Sequence, residues 1–162
     1  FGWFYLWTVA PNWLVPDAPV FNHWLLLAAA LLLSLATPWH RRVLARLRQG
    51  DARGLFACQV GLAVIGLVQG ALLLVALLSE SLQPTVRAHD AVIFVMLAYS
   101  LGHALLASTL STLQALRVRI GYVGGESPYE PLVVAQLWGY NLGVLWVSYL
   151  AIALFPPAFG GV

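Results

Sequence analysis

The sequence has few side chains capable of acid–base or ligand chemistry, and they lie far apart. Its histidines are His23, His40, His89 and His103, and its one cysteine is Cys58. Its carboxylates are Asp17, Asp51, Glu80, Asp90, Glu126 and Glu130. Only His103 falls in the middle of a long uncharged run. His23, His40 and His89 flank such runs, where water or lipid headgroups can reach them. Haem ligation by two histidines would need a second deep histidine, which the sequence lacks. One cysteine allows neither an internal disulfide nor a thiolate cluster. There is no carboxylate pair, no nucleophile beside a base and no phosphate loop, and Gly124-Gly125 beside Pro128 is a turn signal. The chemistry on offer is hydrogen bonding rather than catalysis.

The hydrogen-bonding groups have a pattern. Tyr99 stands four residues before His103 and Gln114 eleven after it, with Ser100 and Ser111 widening the same stripe. A buried polar group in an apolar helix is costly and normally faces protein, so this stripe is expected to face the bundle interior. Its roles are packing through hydrogen bonds or, alternatively, a proton-linked function at His103. Gly66 and Gly70 have the small-xxx-small spacing that lets helix backbones approach closely. Gln69 is expected to bond across to a neighbouring helix, and Trp138 and Asn141 offer further partners. The residues expected to hold helices together are thus Tyr99, His103, Gln114, Gln69, Gly66, Gly70, Trp138 and Asn141.

These residues must be positioned by membrane helices. Hydrophobic residues make up 61% of the chain and charged ones 9%, against roughly 25% charged in a soluble domain. A crossing needs about 20 predominantly apolar residues. The runs 21–39, 54–79, 91–116 and 131–155 qualify, with Pro38 expected to end the first and Pro131 to open the last. The fold class expected is all-α, an integral membrane bundle of about four transmembrane helices. Residues 1–19 read as an interfacial segment or partial helix with a Pro-rich loop, residues 20–157 as the bundle, and 158–162 as a tail. The abrupt start at Phe1 reads as the visible part of a longer polypeptide. Of eight arginines, Arg41, Arg42, Arg46, Arg48, Arg53, Arg117 and Arg119 fall in the connections on one side, and only Arg87 falls on the other. The Arg-rich loops are then cytoplasmic and both chain ends outside. A net charge of +2 with scattered arginines excludes a nucleic-acid footprint.

The order of features resembles the last four helices of cytochrome c oxidase subunit III. Pro19-Val20-Phe21-Asn22-His23 is similar to the family's Pro-x-x-Asn-Thr helix start, with His23 in place of Thr. Gly66 and Gln69 are similar to its next helix, and Ala98-Tyr99-Ser100-Leu101-Gly102-His103 to its Gly-Phe-His-Gly-Leu-His stretch. Glu130, Trp138 and Asn141 resemble its approach to the last helix. The family's Gln-x-x-Glu-Tyr reads Gln69-Gly70-Ala71-Leu72-Leu73 here, so the membrane carboxylate is gone; the family's first histidine is Ser100, and its late histidine is absent. The resemblance implies a noncatalytic accessory subunit of a haem-copper terminal oxidase in the bacterial plasma membrane. It would support the catalytic subunit and its proton supply, and it would bind phospholipid. The implied partner is the catalytic subunit I, as a separate chain or on the same polypeptide. Haem and copper are expected in that partner, and no cofactor in this chain. Other readings are a small carrier half that uses the His103 stripe, and a membrane anchor for a peripheral enzyme.

Overall fold

In the computed structural model, residues 9, 23–78, 82–122 and 129–154 are described, with the last helix's side chains described over 138–150. The segments read as 1–19 and 158–162 lie outside the described residues, apart from Val9. The described part is all-α, with helices α1 (Trp24–Ser34), α2 (Ala36–Arg48), α3 (Ala52–Leu77), α4 (Ala88–Arg119) and α5 (Tyr129–Leu154). Since α1 and α2 run end to end, they make four helical rods. Among these, α3 and α4 are long and apolar enough to cross a membrane.

Pro38 does not end the first helix, contrary to the expectation from sequence. The chain stays helical through Leu35 (φ −67°, ψ −21°) and on to Arg48. Proline lacks an N–H, so the carbonyl four residues earlier loses its donor. The helix accordingly breaks at Ser34–Leu35 and restarts with Pro38 in its first turn, where no donor is required. Ser34 Oγ donates back to the Ala30 carbonyl at 2.8 Å, and such back-bonding favours a bend. Arg41, Arg42, Arg46 and Arg48 therefore lie on a helix, not in a loop.

Two glycines make the turns at the arginine end. Gly50 (φ +66°) and Gly121 (φ +73°) hold the left-handed conformation just beyond α2 and α4, which a side chain would strain. Each closes its helix with a paired Schellman cap. Gly50 N donates to Leu47 O and Asp51 N to Arg46 O, while Gly121 N donates to Val118 O and Tyr122 N to Arg117 O. Asp51 then starts α3, accepting from Gly54 N at 2.9 Å and pairing with Arg46 at 2.6 Å. The Gly54 bond, and after it Arg46, hold the Asp51 carboxyl below its ordinary 3.8.

The helices pack through small residues. On α4 the buried face runs through Ser100, Ala104, Ala107, Ser108, Ser111 and Ala115, opposite the buried Gly66 and Gly70 of α3. A Cβ on Gly66 would come within 2.9 Å of Ser108 Cβ and 3.0 Å of Trp138 Cη2. At Gly70 the nearest atoms are the ends of Leu105 and Leu101, at 3.6 and 3.7 Å. Gly61 makes room for the Trp39 indole, a contact the sequence reading did not foresee.

Gly66→Leu should therefore destabilise the bundle by at least the ~1–3 kcal/mol typical of overpacking. Gly70→Ala should be neutral or gain up to about 1 kcal/mol from helix propensity. Thermal unfolding in detergent measures both, and equal tolerance at the two sites would contradict the packing described.

Candidate functional site

The eight residues singled out from the sequence do not form one face. Gly66, Gln69, Gly70, Gln114, Trp138 and Asn141 are buried, as are Ser100, Ser108 and Ser111, whereas Tyr99 is 44% exposed and His103 half-buried. The stripe expected to face inward thus splits, and its tyrosine and histidine sit at the outward rim. Helix geometry accounts for this. Successive residues turn by about 100°, so Tyr99 and His103 lie at the edge of an arc whose buried centre is Ile93, Ala104 and Ser111.

The interior group centres on Trp138. Its indole lies against Gly66, its Nε1 donates to Ser111 Oγ at 3.4 Å, and the His40 ring sits 5.7 Å from it. Beside it, Ser108 Oγ donates to the Ala63 carbonyl at 2.8 Å, joining α4 to α3. Farther along α5, Trp146 Nε1 donates to Ser34 Oγ at 3.1 Å, so the hydroxyl at the α1–α2 break also ties down α5. Neither Gln69 nor Asn141 bonds across as expected: both atoms of each side-chain amide lack a partner among the described residues. It is Trp138 that joins α5 to its neighbours, lying against Gly66 and bonding Ser111. Ser108 and Ser34 are the residues that sequence reasoning missed. The signal for Ser108 was the run of small residues on α4 at helical spacing, the counterpart of Gly66.

The outward group joins α4 to α5. The Tyr99 and Tyr140 hydroxyls are 3.1 Å apart. The His103 ring packs 4.2 Å from that of Tyr99 and 5.8 Å from that of Tyr140. Its Nδ1 lies 3.0 Å from the Tyr99 carbonyl oxygen. A carbonyl only accepts, so Nδ1 carries the proton, and in the neutral ring Nε2 is left as an acceptor. The tyrosine pair closes one end of a groove of about 500 Å³ between α4 and α5, walled by Val95, Met96, Gly143, Val144 and Val147.

A third group lies at the end of the bundle opposite the α2 arginines, where the sequence suggests a solvated His89 and, in Asp90, a carboxylate suited to the start of a helix. The Asp90 carboxylate accepts from Arg87 Nη2 at 2.7 Å and from Gln83 N at 2.8 Å, with His89 Nδ1 3.0 Å from its other oxygen. Arg87, His89 and Asp90 are all buried. Opposite charges three residues apart at a helix start were the available signal. Asp90 also sits in the first turn of α4, where the helix dipole favours a carboxylate. No group of three or more His, Cys, Asp or Glu arranged to hold a metal occurs among the described residues.

Removing one partner of a buried ion pair strands the other, at a cost of about 3–5 kcal/mol. Asp90→Asn should lose that much stability in a thermal or denaturant melt, far more than Asp51→Asn at the exposed turn. Equal effects would show that the Asp90 cluster is solvated. Compared with protein-family models, curated proteins and solved structures, the chain gives no match.

Proposed function

We propose that this chain is a noncatalytic accessory module of a haem-copper terminal oxidase, similar to subunit III. It spans the bilayer as four helical rods and docks beside the catalytic subunit. Membrane insertion is supported by the surface. Val60, Val64, Leu67 and Val68 of α3 and Val95, Leu105 and Leu106 of α4 are exposed, and contiguous exposed apolar surface of this kind needs lipid or protein to cover it. Only 39% and 33% of the most apolar stretches of α3 and α4 are buried inside the bundle, which supports contact of the remainder with lipid. The arginines of α2, Arg53, Arg117 and Arg119 gather at one end, and by the positive-inside tendency that end is cytoplasmic.

What carries the noncatalytic reading is how the polar residues are used. Ser108, Ser111, Ser34, Trp138 and Trp146 are engaged in joining helices. Arg87, His89 and Asp90 are likewise engaged with one another and with the Gln83 N–H at the start of α4. The oxidase assignment rests on the resemblance in order and spacing, to which the Gly66–Ser108–Trp138 meeting point gives a physical role. Haem and copper belong to the partner, and phospholipid covers the remaining apolar surface. A carrier half is less well supported, because the groove between α4 and α5 beyond the tyrosine pair is walled by the apolar Val95, Met96, Val144 and Val147.

Topology gives the first test. In a Cys58→Ser background, Gln49→Cys and Tyr122→Cys should be shielded from an impermeant thiol reagent added outside, and Gln83→Cys should label. Labelling at Tyr122→Cys would contradict the four-span arrangement.

Removal of the module gives the second. The haem optical spectrum of the parent complex should stay nearly intact and initial oxygen consumption should survive in part. Activity should then decay several-fold faster during sustained turnover, most of all at high pH where protons are scarce. Loss of a haem band would refute the noncatalytic role, and the absence of any haem-copper enzyme among co-purifying proteins would refute the oxidase reading.

A further inference from the structure

Two side-chain amides inside the bundle have no protein partner, and they stand in one layer. Gln69 is 0% and Asn141 1% exposed, and neither the oxygen nor the nitrogen of either amide is bonded among the described residues. The rods are neighbours in the cyclic order α1–α2, α3, α4, α5, so α3 and α5 stand diagonally across the bundle axis. Trp138 lies by His40 and Trp146 by Ser34, so α5 runs in the same direction as α3, away from the arginine end. Trp138 meets Gly66, and three residues beyond that contact on each rod come Asn141 and Gln69. The two amides therefore enter the interior from opposite corners at the same depth.

The other two rods bring alanine to that layer. Four residues along from the Gly66–Ser108 contact are Gly70 and Ala104, and nine along from the Gly61–Trp39 contact are Gly70 and Ala30. Ala30 and Ala104 are fully buried. Their backbone groups belong to α1 and α4, and the Ala30 carbonyl also accepts from Ser34 Oγ. Neither alanine side chain can hydrogen-bond, and neither is large enough to fill the interior between the two amides.

The depth excludes help from the membrane surface. Asn141 stands twelve residues after Tyr129 and thirteen before Leu154, roughly 18–20 Å from either end of α5 at 1.5 Å per residue. In the four-span arrangement no headgroup reaches that far. A primary amide carries two N–H donors and an oxygen with two lone pairs, and leaving them unmade in a low dielectric is costly. An ion is a poor fit, because the one charged residue of α3 is Arg53 and that of α5 is Glu130, sixteen and eleven residues away. Water is neutral, small, and able to donate and accept at once; a buried molecule typically makes about three hydrogen bonds to groups of this kind.

We propose that Gln69 and Asn141 hold a buried water site of one or two molecules at the centre of the bundle. A water there accepts from one amide and donates to the other, which joins α3 to α5 across the axis through water rather than directly. The site is a property of this bundle and does not rest on the oxidase reading.

The test is a density map of the assembled protein in lipid at a resolution that shows ordered water. An isolated peak should lie within about 2.7–3.2 Å of a side-chain amide atom of both residues. Amides bonded directly to each other, amides turned onto backbone carbonyls with no peak between them, or a peak touching one residue alone would each overturn the proposal. A second arm reads the same site by solid-state NMR in bilayers with nitrogen-labelled protein. Magnetisation from water should reach the Gln69 and Asn141 side-chain NH2 signals and not the backbone amide of Leu73, which is equally buried on α3. Asn141→Leu, close in shape but without hydrogen bonds, should abolish the transfer at Gln69, whereas Asn141→Ser, which keeps a hydroxyl, should retain it. Equal transfer at Gln69 in the two variants, or none in the unaltered protein, would refute the shared site.

Discussion

The close approach of α3 to α4 at Gly66 and Ser108 is the constraint on which the rest of the bundle depends. It requires no side chain at Gly66 and a short one at position 108. The Ser108 hydroxyl then reaches the Ala63 carbonyl on the other helix. With no large side chain between them, the two helices leave a notch, and the Trp138 indole fills it from α5. That brings α5 over the pair, and the Trp146–Ser34 bond then holds α1 against α5. In an apolar surrounding the hydrophobic effect gives little help in bringing helices together, so close packing and hydrogen bonds between helices must do so. Small residues and short hydroxyls line the α3–α4 contact, while Leu26, Leu33, Leu62, Leu73, Leu97 and Leu145 fill the rest of the interior.

The two ends of the bundle solve a different problem. At the arginine end, positive-φ glycines turn the chain and let α2 and α4 finish with their last carbonyls capped, with Asp51 starting α3 immediately afterwards. Residues 49, 50 and 120–122 of those turns are exposed, and the Arg46–Asp51 pair lies at the surface. At the opposite end Asp90 is buried with Arg87 and His89, and it also holds the backbone of Gln83. One end is set by backbone conformation and the other by buried charge. A buried carboxylate at a helix start gains from the dipole, while its position at the very end of the helix leaves the middle of α4 free of charge.

Much of this was legible in the sequence, for identifiable reasons. Long apolar runs bounded by charge or proline place the rods, since few alternatives can accommodate a 26-residue helix as apolar as α3, whose one charged residue, Arg53, lies at its start. Gly66 was legible as a packing glycine because small-residue spacing maps directly onto helix geometry, and Trp138 because a deep indole seeks a partner. Pro38 was misread because proline marks a discontinuity without stating whether the chain resumes as helix; the Ser34 back-bond and the apolar residues around it settle that locally. The Tyr99–His103–Gln114 stripe was misread for a different reason. Residue spacing fixes angles within one helix but not the point at which its neighbours cross it. Near the arginine end the α2–α3 turn covers α4, with Val118 beside Arg46, Leu47 and Leu55 around one small cavity, and there Gln114 is buried. At mid-length that cover is gone, and the same edge of the helix looks outward at His103.

The position of His103 bears on what it can do. A histidine that carries protons needs something to stabilise its charged form, and a neighbouring carboxylate is the usual means. Around His103, α4 has no charged side chain between Asp90 and Arg117, α3 has none beyond Arg53, and α5 has none after Glu130. The sequence Gln69-Gly70-Ala71-Leu72-Leu73 shows the same lack on the facing helix. What surrounds the imidazole instead is a carbonyl bonded to Nδ1 and two tyrosine rings, which fix its tautomer and orientation. Those groups specify a direction for one acceptor. His103 is therefore held at the α4–α5 rim by its bond to the Tyr99 carbonyl and by the two tyrosine rings, with Nε2 on the opposite side of the ring from that bond.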